Sequence, residues 1–302
     1  MKLLVIGGSG QLSGRLVQLA LQQGHQVWTV SRGQRPMPKG VRSIVADRED
    51  PEQFSAALAK AGVKWDAAID CICMKAQHAQ QDLAVLPQYT QRLAVVSTDS
   101  VYHPEHKTVP QTEEADYYMD DGGYGHHKRM MEEVFLRDGA HMDWTIFRPG
   151  HIFGPGFEIG CFPEQSRQKG LLAHMRADKP LRLVGGGKLL IHPIYVDDMA
   201  LALLDCLDKP KAVREIFCIG GPAAIPNAEY YVLMGELLGH PAIIEEIPME
   251  GYLEANPVYS GHLCQRSYDL SKLRSAGVRM PSMPMKEGLR RHIAWLDERD
   301  GV

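Results

Sequence analysis

Apolar positions along the chain fall into short runs divided by glycine-bearing turns. Residues 3–6 form an apolar run of strand length that stops at Gly7-Gly8-Ser9-Gly10. Leu12, Leu16, Leu19 and Ala20 then recur at helical spacing, and Gly24 stands where a helix C-terminal glycine is expected. The pattern predicts further strands over 26–30, 43–46, 67–72, 93–97 and 144–147. Asp50-Pro51 with Gln53 reads as N-cap, first helical residue and capping-box partner. Met130, Met131, Val134 and Phe135 mark a helix over 124–138.

Strands alternating with helices imply an α/β fold of Rossmann type, a doubly wound parallel sheet covered on both faces. After Gly156 the pattern loosens. It predicts a helix over 164–176, a turn over 184–187, a helix over 199–207 capped by Asp197 or Asp198, and a strand over 216–219. Asn227 is expected to cap a helix ending near Gly239, and a last helix is expected over 286–298. Residues 1–155 with about 190–225 would form the dinucleotide-binding domain. Residues about 156–189 with 226–302 would form a smaller substrate-binding lobe.

The first turn carries the first chemical signal. Glycines let the chain turn tightly and let a pyrophosphate approach main-chain N–H groups, and the following helix offers its positive end. Such a turn, after the first strand and opening a helix, is the context a dinucleotide fingerprint requires. The third small position falls on Ser13, with a glycine one later at Gly14. Serine is small enough to keep the helix close, with an adjusted entry. The second strand ends at Ser31-Arg32-Gly33, where a carboxylate would accept from the adenosine ribose. Serine and arginine instead suit a 2′-phosphate, which favours NADP, with NAD the alternative.

Composition removes other classes. Of 302 residues, charged ones leave a net −4 and no basic run, which argues against a nucleic-acid surface. No apolar stretch approaches the length of a membrane span. The six cysteines contain no C-x-x-C pair and several lie in apolar segments, so a reducing cytoplasm without disulfides is expected. Asp120-Asp121 with His126-His127, and His103 with Glu105 and His106, lack a known ligand spacing; no metal site is expected.

Tyr124 and Lys128 lie at i and i+4, on one helix face. A lysine ammonium beside a phenol would lower its pKa and make Tyr124 an acid or base nearer neutrality. Residues 97–100, Ser97-Thr98-Asp99-Ser100, end the fifth strand, at the edge where open parallel sheets bind ligands.

With these pieces the chain resembles an extended short-chain dehydrogenase/reductase of the NAD-dependent epimerase/dehydratase family. The resemblance rests on GGSGQLSG, ADRED (46–50), STDSVY (97–102), YGHHK (124–128), FRPGHIFGPG (147–156), IYVDDMALALL (194–204) and YDLSKLRSAGV (268–278), in order over nearly the whole chain. It is similar above all to atypical members related to chloroplast stem-loop-binding proteins. The resemblance implies Tyr124 as catalytic acid/base, Lys128 as its partner and Thr98 as the catalytic hydroxyl. It further implies that the cofactor touches Gly7, Gly10, Gln11, Leu12, Ser31, Arg32, Asp47, Cys71, Ser97, Pro149 and Ile152. Asp99, Ser100, His126 and His151 are candidate substrate contacts.

Two departures narrow the expectation. Dehydratases of this kind carry Thr-Asp-Glu where this chain has Thr98-Asp99-Ser100, so the base for water elimination is missing. Nucleotide-sugar enzymes hold the diphosphate with an asparagine and two arginines; those positions fall on His151, Ile191 and about Tyr259, with Arg176, Arg182 or Arg266 as substitutes. The expectation is an NAD(P)-dependent oxidoreductase or epimerase of a small substrate such as a sugar or nucleotide sugar, working as a homodimer. The rival is a catalytically quiet cofactor-binding sensor or RNA-binding protein.

Overall fold

The structure is a computed structural model that describes residues 1–302 apart from the side chains of Val258 and Ser260. Six strands build most of one sheet: β1 (Lys2–Ile6), β2 (Gln26–Ser31), β3 (Arg42–Val45), β4 (Ala67–Asp70), β5 (Arg92–Val96) and β6 (Asp143–Pro149). A seventh strand, Glu215–Ile219, joins beside β6. The order across the sheet is Glu215–Ile219, β6, β5, β4, β1, β2, β3. Every neighbouring pair is parallel. The direction of winding reverses between β1 and β4, so a crevice opens beyond their carboxyl ends.

Alternation along β1 explains why helices cover both faces. Leu3 and Val5 join one apolar cluster, with Leu12 and Leu16 of helix α1 (Gln11–Gln22) and Met199 and Leu203 of the helix Val196–Asp205. Leu4 and Ile6 join the opposite cluster, with Phe54 of α2 (Pro51–Ala61), Leu83 of α3 (Ala76–Val85), and Met131 and Phe135 of α4 (Tyr124–Asp138). A third cluster lies off the sheet and joins Phe153, Leu171, Tyr230, Met234, Leu289 and Ile293.

Several expected elements are corrected. Leu273, Ala276 and Val278 pack on the sheet with the first cluster, not in the smaller lobe. The helix expected over 164–176 is only Leu171–Arg176. Before it the chain folds back, with the N–H groups of Arg167 and Gln168 donating to the carbonyls of Gly160 and Ile159. Asp197 and Asp198 lie inside their helix and do not cap it. Asp197 pairs with Arg15 at 2.6 Å, and Asp198 accepts the N–H groups of Ser282 and Met283. Asn227 is the first residue of the helix Asn227–Leu238; its amide donates to the Phe162 carbonyl. Gln53 leaves the Asp50 box half made: Asp50 accepts from the Gln53 N–H, but the Gln53 amide oxygen accepts from the Asp47 N–H. These differences share a cause. Short polar side chains bond to whichever backbone tertiary packing brings near.

Candidate active site

The glycine turn between β1 and α1 is forced by contact. Gly7 and Gly8 take φ of 114° and 99°, and a Cβ on Gly8 would lie 2.6 Å from Thr29 Cγ2. Ser13 is buried at the third small position, and its hydroxyl accepts the Gly10 N–H at 3.0 Å. Gly14 is not squeezed: a Cβ there would meet the Gly8 carbonyl oxygen at an ordinary 3.7 Å. The first turn of α1 holds no acidic residue to compete for its free N–H groups.

A groove of about 390 Å³ runs from this turn, past Ser31, Arg32 and Arg35, to Asp47. Arg35 was passed over in the sequence; its guanidinium reaches the Ser9 carbonyl at 3.4 Å. The signal was there, since a second arginine three places after Arg32 adds charge where a phosphate would sit. Arg48, next to Asp47, is a buried strut. It bonds Asp70, Asp82 at 2.6 Å and the His78 carbonyl at 2.9 Å.

The second half of the site is set by how α4 begins. A Cβ on Gly125 would stand 2.0 Å from the Ser100 carbonyl oxygen. Glycine therefore lets the first turn of α4 lie directly on the turn 99–101, next to Thr98. Thr98 caps that turn, its hydroxyl accepting the Ser100 N–H at 3.2 Å. Tyr124 is half exposed at the cleft. Burial by the surrounding protein raises its phenol, while the Thr98 hydroxyl beside it pulls it back and the Asp99 charge raises it again. Lys128 is fully buried, and its ammonium donates to the carbonyls of Cys73 at 2.8 Å and Val96 at 2.7 Å. Burial brings its pKa down to about 8. The expectation that Lys128 depresses the phenol is thus corrected: Tyr124 is shifted upward, and the lysine is tied to two carbonyls with one donor left.

Residues 3–220 match the description of the NAD dependent epimerase/dehydratase family. The chain belongs to that family. Two relatives are the 2′-dehydrokanamycin reductase of Streptomyces kanamyceticus and the chloroplast stem-loop binding protein of 41 kDa b of Arabidopsis thaliana. The first is 28% identical over 263 residues, covering 83% of this chain and 70% of that protein. The second is 25% identical over 241 residues, covering 73% of this chain and 58% of that protein. The dTDP-glucose 4,6-dehydratase of Bacillus anthracis, solved in complex with NAD, shares the fold with a TM-score of 0.77 at 19% identity, covering 100% of this chain and 98% of that one.

The family's cofactor fits the cradle. Its glycines leave room at the turn, the α1 N–H groups are uncontested, and Arg32 and Arg35 line the far end of the groove. Gln11 and Leu12 open α1, Pro149 ends β6, Ile152 lies just beyond it, and Cys71 follows β4. Other expected contacts are directed elsewhere. The Ser97 hydroxyl donates to Glu132 at 2.6 Å and faces the protein interior. Asp99 is held by Arg266 at 2.5 Å and by the Tyr268 hydroxyl, with Lys107 at 3.9 Å. Burial opposes its ionisation, but those partners hold its carboxyl below the usual range. The Ser100 hydroxyl lies 3.4 Å from the same carboxylate. His126 points away from the Tyr124 face, its ring 3.3 Å from the Met119 carbonyl. His151 does line the cleft, with Cys161, Ile191, His192, Arg266 and Tyr268. Burial keeps it neutral, with a pKa of about 3.

Sequence reasoning missed the buried supports. Arg148 grips Glu132 through two bonds and also donates to the Tyr102 hydroxyl and the Glu113 carbonyl. His192 accepts the Tyr268 N–H at 3.0 Å and donates to the Gly221 carbonyl at 2.9 Å, so it is a neutral spacer. No spacing rule links these residues along the chain.

Proposed function

We propose that the protein is an NADP-dependent oxidoreductase that reduces a carbonyl group on a small molecule, with Tyr124 as the proton donor. The observation that carries this reading is geometric: Gly125 lets the first turn of α4 lie on the turn 99–101, which puts Tyr124 beside Thr98 at the sheet edge. A phenol is protonated at neutral pH, so it can give a proton to a developing alkoxide. Thr98 orients the same oxygen. Lys128 keeps one N–H for the cofactor ribose and holds the β4 and β5 ends together through its two carbonyl bonds. The bound nicotinamide would supply the hydride. Gly7, Gly10, Gln11 and Leu12 would hold the pyrophosphate, Asp47 the adenine, and Pro149 and Ile152 the nicotinamide. Ser31, Arg32 and Arg35 would meet the 2′-phosphate, which a carboxylate at this corner would repel.

Reduction is favoured over dehydration because Ser100 offers no base. It is favoured over nucleotide-sugar epimerisation because Ile191 cannot clamp a diphosphate and Arg266 is committed to Asp99. The relative in Streptomyces kanamyceticus is itself named a reductase. A cytoplasmic homodimer through α3 and α4 accompanies this reading.

The test follows NADPH oxidation with a panel of ketones and aldehydes, 2′-dehydrokanamycin among them. Tyr124→Phe should lower kcat by about 10²- to 10⁴-fold while NADPH affinity stays within about twofold. Unchanged turnover in that variant would remove Tyr124 from the mechanism.

A further inference from the structure

We propose that Arg167 is an anion-binding residue of the substrate cleft, so that the carbonyl substrate carries a carboxylate or a phosphate. The inference rests on the oxidoreductase reading above and names the class of substrate for that site.

Arg167 is one of three non-glycine residues with positive φ among the described residues, at 47°. The other two are Asp178, whose carboxylate lies 3.1 Å from His240, and Arg214, 3.7 Å from Asp143. Arg167 has no such partner among the described residues. Its backbone is turned by the N–H bonds to Gly160 and from Gln168 to Ile159, at 3.3 and 3.0 Å. A strained backbone persists where the surroundings over-determine it, as at ligand sites. Here it folds the side chain back over the Phe157 ring, 4.8 Å from its centroid. There its one hydrogen bond among the described residues is to the Ile152 carbonyl, at 3.5 Å. Ile152 stands next to His151 and beside the place proposed for the nicotinamide.

The other arginines near the site are satisfied. Arg266 is paired with Asp99 and also donates to the Gly261 carbonyl. Arg148 is paired with Glu132. Arg167 is the exception: a five-donor fork, reachable by solvent, whose one hydrogen bond among the described residues is long. Its charge is also felt by the groups it faces. After burial it is the next influence holding His151 neutral, and it pulls the Tyr124 phenol downward. The fork lies at the Ile152 carbonyl, by the place proposed for the nicotinamide, and its charge reaches Tyr124, so an anion bridging it would bring its carbonyl toward both. The neighbouring cavity that His151 lines mixes apolar residues, Pro163, Leu190 and Ile191, with Arg266, and that arginine is spent on Asp99, which leaves an anionic end to Arg167. Arginine matches carboxylate and phosphate oxygens two at a time, so either source fits.

The experiment loads the intact protein with NADPH and follows its fluorescence during titration with two matched pairs. The pairs are acetoacetate against methyl acetoacetate, and dihydroxyacetone phosphate against dihydroxyacetone. Wild type, Arg167→Ala and Arg167→Lys are compared. At least one anion should bind about tenfold or more tighter than its neutral counterpart, as charge-assisted paired bonds allow. Arg167→Ala should erase that difference, Arg167→Lys should restore part of it, and NADPH affinity should stay within about twofold. The pair that shows the larger preference identifies carboxylate or phosphate. Absence of any anion preference in wild type overturns the proposal, as does a preference that survives Arg167→Ala. A tenfold loss of NADPH affinity in Arg167→Ala also overturns it, by assigning the residue to the cofactor. Failure of wild type to bind NADPH at all would strike the oxidoreductase reading itself, which separates the two failures.

Discussion

The cofactor groove and the substrate cleft share one sheet edge but are built in opposite ways. The groove comes from short local pieces: the turn after β1, the corner after β2 and the end of β3. Arg32 and Arg35 line it with no carboxylate partner among the described residues, while Arg48 behind them is spent on Asp70 and Asp82. The cleft comes from residues that meet only in the fold. Asp99 finds Arg266 and Tyr268 across 167 and 169 residues, and Arg148 finds Glu132 across 16. Most of its charges are already paired, so its chemistry is left to the few that are not, Tyr124 and Arg167. The difference teaches that a site for a common ligand can be nearly all backbone and glycine, whereas a site for a particular substrate is framed by committed ion pairs.

The comparison can be broken in several places. The largest effect is expected from Tyr124→Phe, which should cost about 10²- to 10⁴-fold in turnover and leave the groove untouched. Next stands Gly125→Ala. Its added methyl would meet the Ser100 carbonyl at 2.0 Å, so α4 must move away from Thr98. A misplacement of that order should lower kcat by about 100-fold, with little change in NADPH affinity. If both fall together, cleft and groove are one mechanical unit and the contrast fails.

Arg148→Met sharpens the contrast through stability. It leaves the buried Glu132 carboxylate without its main partner, and removing one member of a buried pair costs about 3–5 kcal/mol. Urea unfolding would measure it; a loss under about 1 kcal/mol would show that Arg129, 3.4 Å away, suffices.

The smallest effect concerns pH. The Lys128 pKa of about 8 lies below its free value of 10.5, because burial disfavours the ammonium. Between those values the unfolded chain holds a proton that the folded protein has released, so this group's contribution to stability rises with pH there. Below about 8 both states hold the proton and the contribution is flat. The stability of wild type relative to Lys128→Met should therefore be flat up to about pH 8 and climb above it. A difference that falls as pH rises would reverse the assignment.

These contrasts also explain what could be read from the chain. β1, the glycine turn and α1 were legible because strand, turn and helix signals follow one another within two dozen residues. The helix Tyr124–Asp138 was legible from its apolar spacing. Thr98, Tyr124 and Lys128 were visible as residue types, but not the state of the lysine, since its partners are carbonyls on two other strands' ends. Gly125 stood in plain view between Tyr124 and His126; only the close approach of Ser100 shows why it is glycine. Ser97, Asp99 and His126 were placed at the right edge, yet side-chain direction depends on packing that periodicity does not carry. Past residue 156 the elements are short and tied by side-chain bonds, such as Asp198 to the Ser282 and Met283 N–H groups. Cap rules misplaced their boundaries there.

The central claim is that this cradle selects a phosphorylated dinucleotide and presents it to Tyr124. The most direct measurement is a fluorescence titration of the purified protein with NADPH and with NADH, repeated for Arg32→Glu. The account predicts that NADPH binds about tenfold or more tighter than NADH, and that Arg32→Glu removes most of that preference while NADH affinity changes little. Equal binding of the two dinucleotides would contradict the reading of Ser31, Arg32 and Arg35. Binding of neither would contradict the enzyme itself and bring the catalytically quiet reading forward.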